Sequence, residues 1–309
     1  MYVFTWVLFL ICLSACYSDQ RADPDEIIEP SGTIVQVESN LIRFAVIGDY
    51  GTGDQNEARV ADLVHSLRPD FIITTGDNNY PEGKEKTLIK NIGNYYCDYI
   101  FNWDAPVEQQ CHGSTEQLNR FFPSLGNHDY ENSKGNVPYL NYFTLPGNEI
   151  YYDFIWGPVH FFVLDSNRDT DVQQIWLEEK LRNSEQPFKM VYFHHPPFSS
   201  GTHGNTKKMQ WGFEGADLVI SGHDHLYERF TERNGSLPVY IVNGLGGQKK
   251  RKCNENSVDS DRFDHFCFDE QYGAMLIEAT TSEMVVKFIS IDNKMADSLV
   301  LQPKAFLLK

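Results

Sequence analysis

The chain has 309 residues, with 26 Lys and Arg against 43 Asp and Glu, a formal net charge of −17 at pH 7. So acidic a surface repels nucleic acid and anionic lipid head groups, which argues against a dedicated nucleic-acid partner. A hydrophobic share of 41% supplies a sizeable core, and the length allows one large domain or two small ones.

The segment Met1–Ala15 is uncharged and almost entirely apolar, and it ends in small residues before Cys16. It is short for a membrane span and has the character of an export signal. Leu13-Ser14-Ala15-Cys16 resembles a bacterial lipobox, in which Cys16 is lipidated and becomes the mature N-terminus. The segment lacks the usual Lys or Arg, so a plain cleaved signal or an anchoring helix is the other reading. The expectation is therefore a leader over residues 1–16 and an exported protein. It would be a membrane-anchored lipoprotein of a bacterial periplasm or cell surface, or otherwise secreted. Residues 17–40 are polar, with Pro24, Pro30 and Gly32, and read as a tether. Residues 41–309 are the folded part.

Arg43–Ile47 is a short apolar run that ends in Gly48-Asp49. Asn56–Arg68 has helical periodicity, stopped by Pro69. Phe71–Thr75 again ends in Gly-Asp, and Phe121–Leu125 ends in Gly126-Asn127-His128. Val159–Leu164 ends in Asp165. Asp171–Asn183 reads as a capped helix with Val172, Ile175, Trp176 and Leu181 inward. Met190–Phe193 ends in His194, and Leu218–Ser221 ends in Gly222-His223. Later strands fit Leu237–Val242, Gly273–Thr280, Met284–Ile291 and Ser298–Leu301, the last three antiparallel. Asn234-Gly235-Ser236 reads as a glycosylation sequon or as a hairpin turn, and the flanking strands favour the turn.

Strands interleaved with helices indicate an α/β domain. Because ligands bind beyond the carboxyl ends of strands in open α/β sheets, one edge would collect Asp49, Asp77, Asn127, His194, His223 and His225. Four cysteines lie beyond the leader, with three connectivities open to them. Cys97–Cys111 and Cys253–Cys267 are favoured because each closes a short polar loop. The basic run Lys249–Lys252 reads as a solvated loop without a function.

Each strand-end block is weak alone. Gly222-His223-Asp224-His225 is the strongest, since imidazoles two residues apart on an extended segment suit neighbouring metals. Together the blocks offer two carboxylates, an amide, a phenol and three imidazoles. Hydrolysis of a phosphate ester brings an anionic nucleophile to an anionic ester. Two cations about 3.5 Å apart relieve that repulsion and lower the pKa of a bound water. Such a pair needs one carboxylate able to bridge, with terminal ligands on each side.

The blocks GDYG, GDNNY, GNHD, FHHP and GHDH resemble those of the purple acid phosphatases, of the tartrate-resistant kind, within the calcineurin-like metallophosphoesterases. The similarity runs from about Arg43 to about Glu228 and more loosely beyond. Many other members of the superfamily have a His at the position of Gly51, and Tyr80 is the mark of the purple acid phosphatases. The resemblance implies a four-layer α/β/β/α sandwich of two mixed sheets, with the metal site at the carboxyl ends of the strands. It implies hydrolysis of phosphate monoesters by a metal-bound hydroxide at a binuclear centre, Fe(III) plus a divalent Fe, Zn or Mn. Asp49, Tyr80 and His225 would hold the first metal, Asn127, His194 and His223 the second, with Asp77 shared.

The same resemblance makes Asn127 and His128 phosphate contacts, with His128 able to protonate the leaving oxygen, and gives His203, in a His-Gly pair, a similar role at the pocket. The family pattern of His, any residue, Pro selects His194 as ligand and leaves His195 beside it. His65, His112, His160 and His265 read as structural. The implied partners are small phosphorylated substrates, with the membrane reached through an N-terminal lipid alone. Other readings are a phosphodiesterase or nucleotide hydrolase of the same superfamily, and a non-catalytic surface lipoprotein that binds metal or phosphate.

Overall fold

Runs of β-branched and aromatic residues build the strands of this chain, and their alternation decides which layer each side chain joins. A computed structural model describes residues 33–35, 41–111, 113, 118–235 and 238–303. The leader and lipidation site expected over residues 1–16 lie outside the described residues. In chain order the strands are β1 (Thr33–Val35), β2 (Ile42–Ile47), β3 (Phe71–Thr74), β4 (Phe121–Pro123), β5 (Tyr152–Trp156), β6 (Val159–Val163), β7 (Phe188–Tyr192), β8 (Leu218–Ser221), β9 (Tyr227–Glu232), β10 (Val239–Asn243), β11 (Phe263–Phe268), β12 (Gly273–Ala279), β13 (Met284–Ser290) and β14 (Met295–Leu301). The α-helices are α1 (Gln55–Leu67), α2 (Asn94–Tyr96), α3 (Val137–Tyr142) and α4 (Thr170–Asn183).

The strands form two mixed sheets, in the orders β1-β5-β6-β7-β8-β10-β9-β11 and β14-β13-β12-β2-β3-β4. The centre of each is parallel: β6, β7, β8 and β10 in the first, and β2, β3 and β4 in the second. Odd positions of β6 and β7 (Val159, Phe161, Val163; Phe188, Met190, Tyr192) join the core between the sheets. The intervening Phe162 and Val191 point the other way and pack with Trp176, Leu177 and Leu181 of α4. This is the two-residue strand period serving two layers at once. Aromatic rings close the gap between the sheets. Phe44 meets Phe161 edge-on at 5.2 Å, Phe71 stacks on Trp156 at 4.5 Å, and Phe122 stacks on Phe154 at 4.1 Å. Truncating one such ring to Ala would cost about 3–5 kcal/mol.

On the far side of the second sheet, α1 buries Val60, Ala61, Leu63 and Val64. Asp54 caps its start by accepting from Asn56 N and Glu57 N, and Arg68, at φ 49°, ends it before Pro69. The order is helix, sheet, sheet, helix. The cysteines pair as Cys97–Cys111 and Cys253–Cys267. Among the described residues, no helix is long and apolar enough to cross a membrane.

Several local expectations are corrected. Thr33–Val35, inside the segment read as a tether, pairs in parallel with β5. The inward face of α4 is Gln173, Trp176, Leu177 and Leu181, whereas Val172 and Ile175 are exposed. Gln173 turns inward because its amide satisfies the backbone at Asp165 N, Asp165 O and Arg168 O. The helix starts at Thr170, and its N-cap residue, Asp169, makes no side-chain cap bond. Strands β5, β9 and β11 escaped the sequence reading. The last two, Tyr-Glu-Arg-Phe-Thr-Glu and Phe-Asp-His-Phe-Cys-Phe, break the apolar pattern with charged residues, Glu228 and Arg229 on opposite faces of β9 and Asp264 in β11, and lie at the end of their sheet. The turn between β9 and β10 holds Gly235 at φ 73°.

Candidate metal centre

Parallel strands β2, β3 and β4 of one sheet and β7 and β8 of the other end close together and deliver the polar residues there. Asp49 follows β2, Asp77 and Tyr80 follow β3, Asn127 and His128 follow β4, His194 follows β7, and His223 and His225 follow β8. Asp49, Asp77 and His223 all have positive φ, at 53°, 51° and 71°, a conformation that costs free energy in a non-glycine residue and clusters at functional sites. The preceding glycines give these side chains room. A Cβ on Gly126 would lie 2.2 Å from Asp77 Oδ1, and one on Gly222 would lie 2.5 Å from Asp49 Oδ2.

The residues gather into two groups that share Asp77. In the first, Tyr80 Oη donates to Asp77 Oδ2 at 2.8 Å and approaches Asp49 Oδ1 at 3.3 Å. His225 Nε2 lies 3.4 Å from the same Asp49 oxygen, with its Nδ1 held 2.8 Å from Lys249 O. In the second, His194 Nε2 lies 3.1 Å from Asn127 Oδ1, 3.1 Å from His223 Nδ1 and 3.3 Å from Asp77 Oδ1. His194 Nδ1 is fixed on Thr75 O at 2.8 Å, so Nε2 is the nitrogen presented to the cluster.

Asp49, Asp77 and His194 are almost completely buried. Among the described residues no Lys or Arg side chain contacts either carboxylate. Burial pulls His194 down, but Asp77 and Asp49 push it up to about 9, so a proton there offsets the buried charge. Burial raises Asp77, yet His194 and His128 hold it below the usual carboxylate range. Burial, then Asp77 and Asp49, lift the Tyr80 phenol well above its ordinary value. Carboxylate, phenol, amide and imidazole converging on buried negative charge form a donor set that fits two cations. Asp49, Asp77 and His194 could hold one ion, and His194, His195 and His223 form a second close group.

Three histidines surround this cluster. His128 is partly exposed and lies against Tyr80 with ring centroids 4.5 Å apart, while its backbone N–H donates to Asp77 Oδ1 at 2.9 Å. Its Nδ1 faces Pro81 O and Glu131. His203 is exposed, with its ring 4.0 Å from that of His223. His195 is turned to Ser166, whose hydroxyl lies 2.8 Å from its Nδ1, and burial pushes it down to about 3. His65, His160 and His265 have partners elsewhere, at Tyr95 O, Asp153 and Glu228. His112 lies outside the described residues.

The sequence reading missed the supports. Asp129 is buried, accepts from Gly126 N at 2.8 Å and Asn78 Nδ2 at 2.8 Å, and is raised to about 7 by burial and the charge of Asp77. Asp224 Oδ1 accepts the His203 N–H at 3.0 Å. Both stood in the quoted blocks, and their burial was the missing signal. The loop after β10 was read as solvated, yet it carries the Lys249 carbonyl that holds His225.

The chain belongs to the calcineurin-like phosphoesterase family, whose model matches residues 42–227 and so spans every residue of the two groups. Its relatives within that family are purple acid phosphatases. It is 28% identical over 255 residues to purple acid phosphatase 15 of Arabidopsis thaliana, covering 70% of this chain but 47% of that protein, about half its length. It is 23% identical over 309 residues to human tartrate-resistant acid phosphatase type 5, covering 82% and 88%. The structure of a purple acid phosphatase from yellow lupin (Lupinus luteus) seeds shares the fold, with a TM-score of 0.67 at 17% identity, over 87% of this chain and 55% of that one.

Proposed function

We propose that the chain hydrolyses phosphate monoesters at a binuclear centre of Fe(III) with a divalent Fe, Zn or Mn. Asp49, Tyr80 and His225 hold the first cation and Asn127, His194 and His223 the second. The observation that carries the reading is Asp77, whose two carboxylate oxygens face the two groups separately, Oδ2 toward Tyr80 and Oδ1 toward His194. Two such cations, when bound, neutralise phosphate charge and make water acidic enough to serve as nucleophile near neutral pH.

The chain's own residues do the rest. Thr75 O and Lys249 O fix the ring orientation of His194 and His225. Asn127 and His128 orient the phosphoryl group, and His128, partly open to solvent, delivers a proton to the leaving oxygen. His203 completes the mouth on the His223 side and assists departure of basic leaving groups. Small phosphorylated compounds are the substrates. Export and lipidation at Cys16 complete the reading, and mass spectrometry of the mature N-terminus tests them.

Metal analysis together with monoester hydrolysis across pH tests the activity. Two metal equivalents, iron among them, with turnover abolished by chelation are expected. A metal-free preparation with full activity, or a fully loaded one without phosphatase activity, overturns the proposal.

A further inference from the structure

The turn after β4 carries Asn127 and His128, and it folds back on itself. The Tyr130 N–H donates to Asn127 O at 3.0 Å, which brings Glu131 round beside the two site residues. Both flanks of Glu131 are anchored. The Tyr130 hydroxyl donates to Asp165 Oδ2 at 2.6 Å, and Asn132 Nδ2 donates to Gly135 O at 2.7 Å and to Gly83 O at 3.3 Å. The Glu131 carboxylate then spans both site residues. Its Oε1 accepts from Asn127 Nδ2 at 3.1 Å, and its Oε2 lies 3.0 Å from His128 Nδ1. Among the described residues it pairs with no Lys or Arg side chain.

An asparagine amide has two unlike ends, and its oxygen is the end that binds a cation. What the nitrogen meets therefore decides which end the cation site receives. With Nδ2 held by Glu131, Asn127 Oδ1 is turned to the second group, 3.1 Å from His194 Nε2. The reversed amide would set its oxygen against a carboxylate and its N–H groups against the cation. The same carboxylate steers His128. Its Nδ1 faces two acceptors, Glu131 and, at 2.6 Å, Pro81 O. The proton on Nδ1 is thereby kept in place, and Nε2 is left on the side of the cluster, 4.0 Å from Asp77 Oδ2. We propose that Glu131 is a positioning residue, which sets the Asn127 oxygen toward the second cation and His128 Nε2 toward the phosphoryl group. The cation and the phosphoryl group rest on the phosphoesterase reading, whereas the contacts of Glu131 are the chain's own. A carboxylate beside a site for an anion weakens substrate capture, so its removal should lower turnover without raising KM.

The test compares wild type with Glu131→Ala and Glu131→Gln. Titration of the iron-loaded protein with Zn(II) measures affinity for the second cation, iron content and Tm report on the first site and the fold, and kinetics follow 4-nitrophenyl phosphate at saturating Zn(II). Glu131→Ala should weaken Zn(II) binding about 10- to 100-fold, the usual effect of removing the hydrogen-bond partner of a metal ligand. Its kcat should fall by a similar factor with KM unchanged or lower, and iron content and Tm should stay as in wild type. Glu131→Gln keeps one acceptor oxygen for two neighbours and should lie between. Zn(II) affinity within twofold of wild type in Glu131→Ala overturns the proposal, as does loss of iron in both variants, which would make Glu131 a general support of the fold. A wild type whose Zn(II) affinity depends on Glu131 yet hydrolyses nothing removes the proposed function and leaves this inference standing. Normal hydrolysis in wild type with an indifferent Glu131→Ala removes this inference alone.

Discussion

Gly126→Ala is the most direct test of the shared role of Asp77. The added Cβ would lie 2.2 Å from both Asp77 N and Asp77 Oδ1, where ordinary contact begins at 3.4 Å. Something must therefore retreat by roughly 1.2 Å. Neither side yields cheaply. The Gly126 N–H is bonded to the buried Asp129 carboxylate at 2.8 Å, and Asp77 already sits at φ 51° with its Oδ1 accepting from His128 N at 2.9 Å. Overpacking of this kind costs about 1–3 kcal/mol, or roughly 2–10 °C in Tm for a chain of this size. The catalytic cost is larger, because a misplacement of about 1 Å at a reacting constellation loses about 10²-fold in rate. Metal analysis, monoester kinetics and thermal unfolding of the one variant separate these effects. The expected result is a folded protein with less than two metal equivalents and kcat/KM down about 100-fold. A variant that keeps both metals and wild-type turnover would refute the idea that the Asp77 oxygens are fixed between two cations.

In the iron-loaded protein, Tyr80→Phe should keep both metals and lose a visible absorption band, since among the described residues its phenol is the one that touches both Asp49 and Asp77; an unchanged spectrum speaks against phenolate ligation. His194→Ala should lose a metal equivalent and nearly all turnover, whereas His195→Ala, whose ring is held by Ser166, should keep both metals; inverted results would reassign the pair. His128→Ala should keep both metals and lower kcat about 10²–10⁴-fold, read by metal analysis beside kinetics. Replacing Cys253 and Cys267 together by Ser opens a loop of sequence separation 14 and should lower stability by about 3 kcal/mol in denaturant unfolding.

What could be read in the sequence was what the backbone imposes locally. Short apolar runs closing in Gly-Asp, Gly-Asn or Gly-His marked the strand ends, where a Cβ on Gly126 or Gly222 would lie 2.2 Å or 2.5 Å from a carboxylate oxygen of Asp77 or Asp49. Those apolar runs located the parallel centre of both sheets, where each strand is buried on both faces, and periodicity placed the helices. It failed where a polar contact outweighed the pattern. In α4 the Gln173 amide goes inward to the Asp165 backbone, so Val172 and Ile175, the natural inner residues by composition, face solvent. It failed again for β9 and β11, where charged residues interrupt the apolar run and suit a sheet end as well as a loop.

The mouth of the site was less legible than its floor, and the reason is sequence distance. His203 is held through Asp224, the residue between His223 and His225. The buried Asp224 carboxylate accepts from His203 N at 3.0 Å, Gly204 N at 3.2 Å and Ser199 Oγ at 2.7 Å. A Cβ on Gly201 would stand 2.3 Å from Asp224 Cγ, so the loop lies directly on that carboxylate. Ser199 and Ser200 are bonded in turn to Glu228, which also holds His265. The short segment from His223 to Glu228 therefore does two jobs. Its imidazoles face the cluster, and its carboxylates anchor the loop that covers it. A shift of this segment moves the floor and the mouth together, which is how a site assembled from five strand ends can keep a loop of Ser and Gly in register with them.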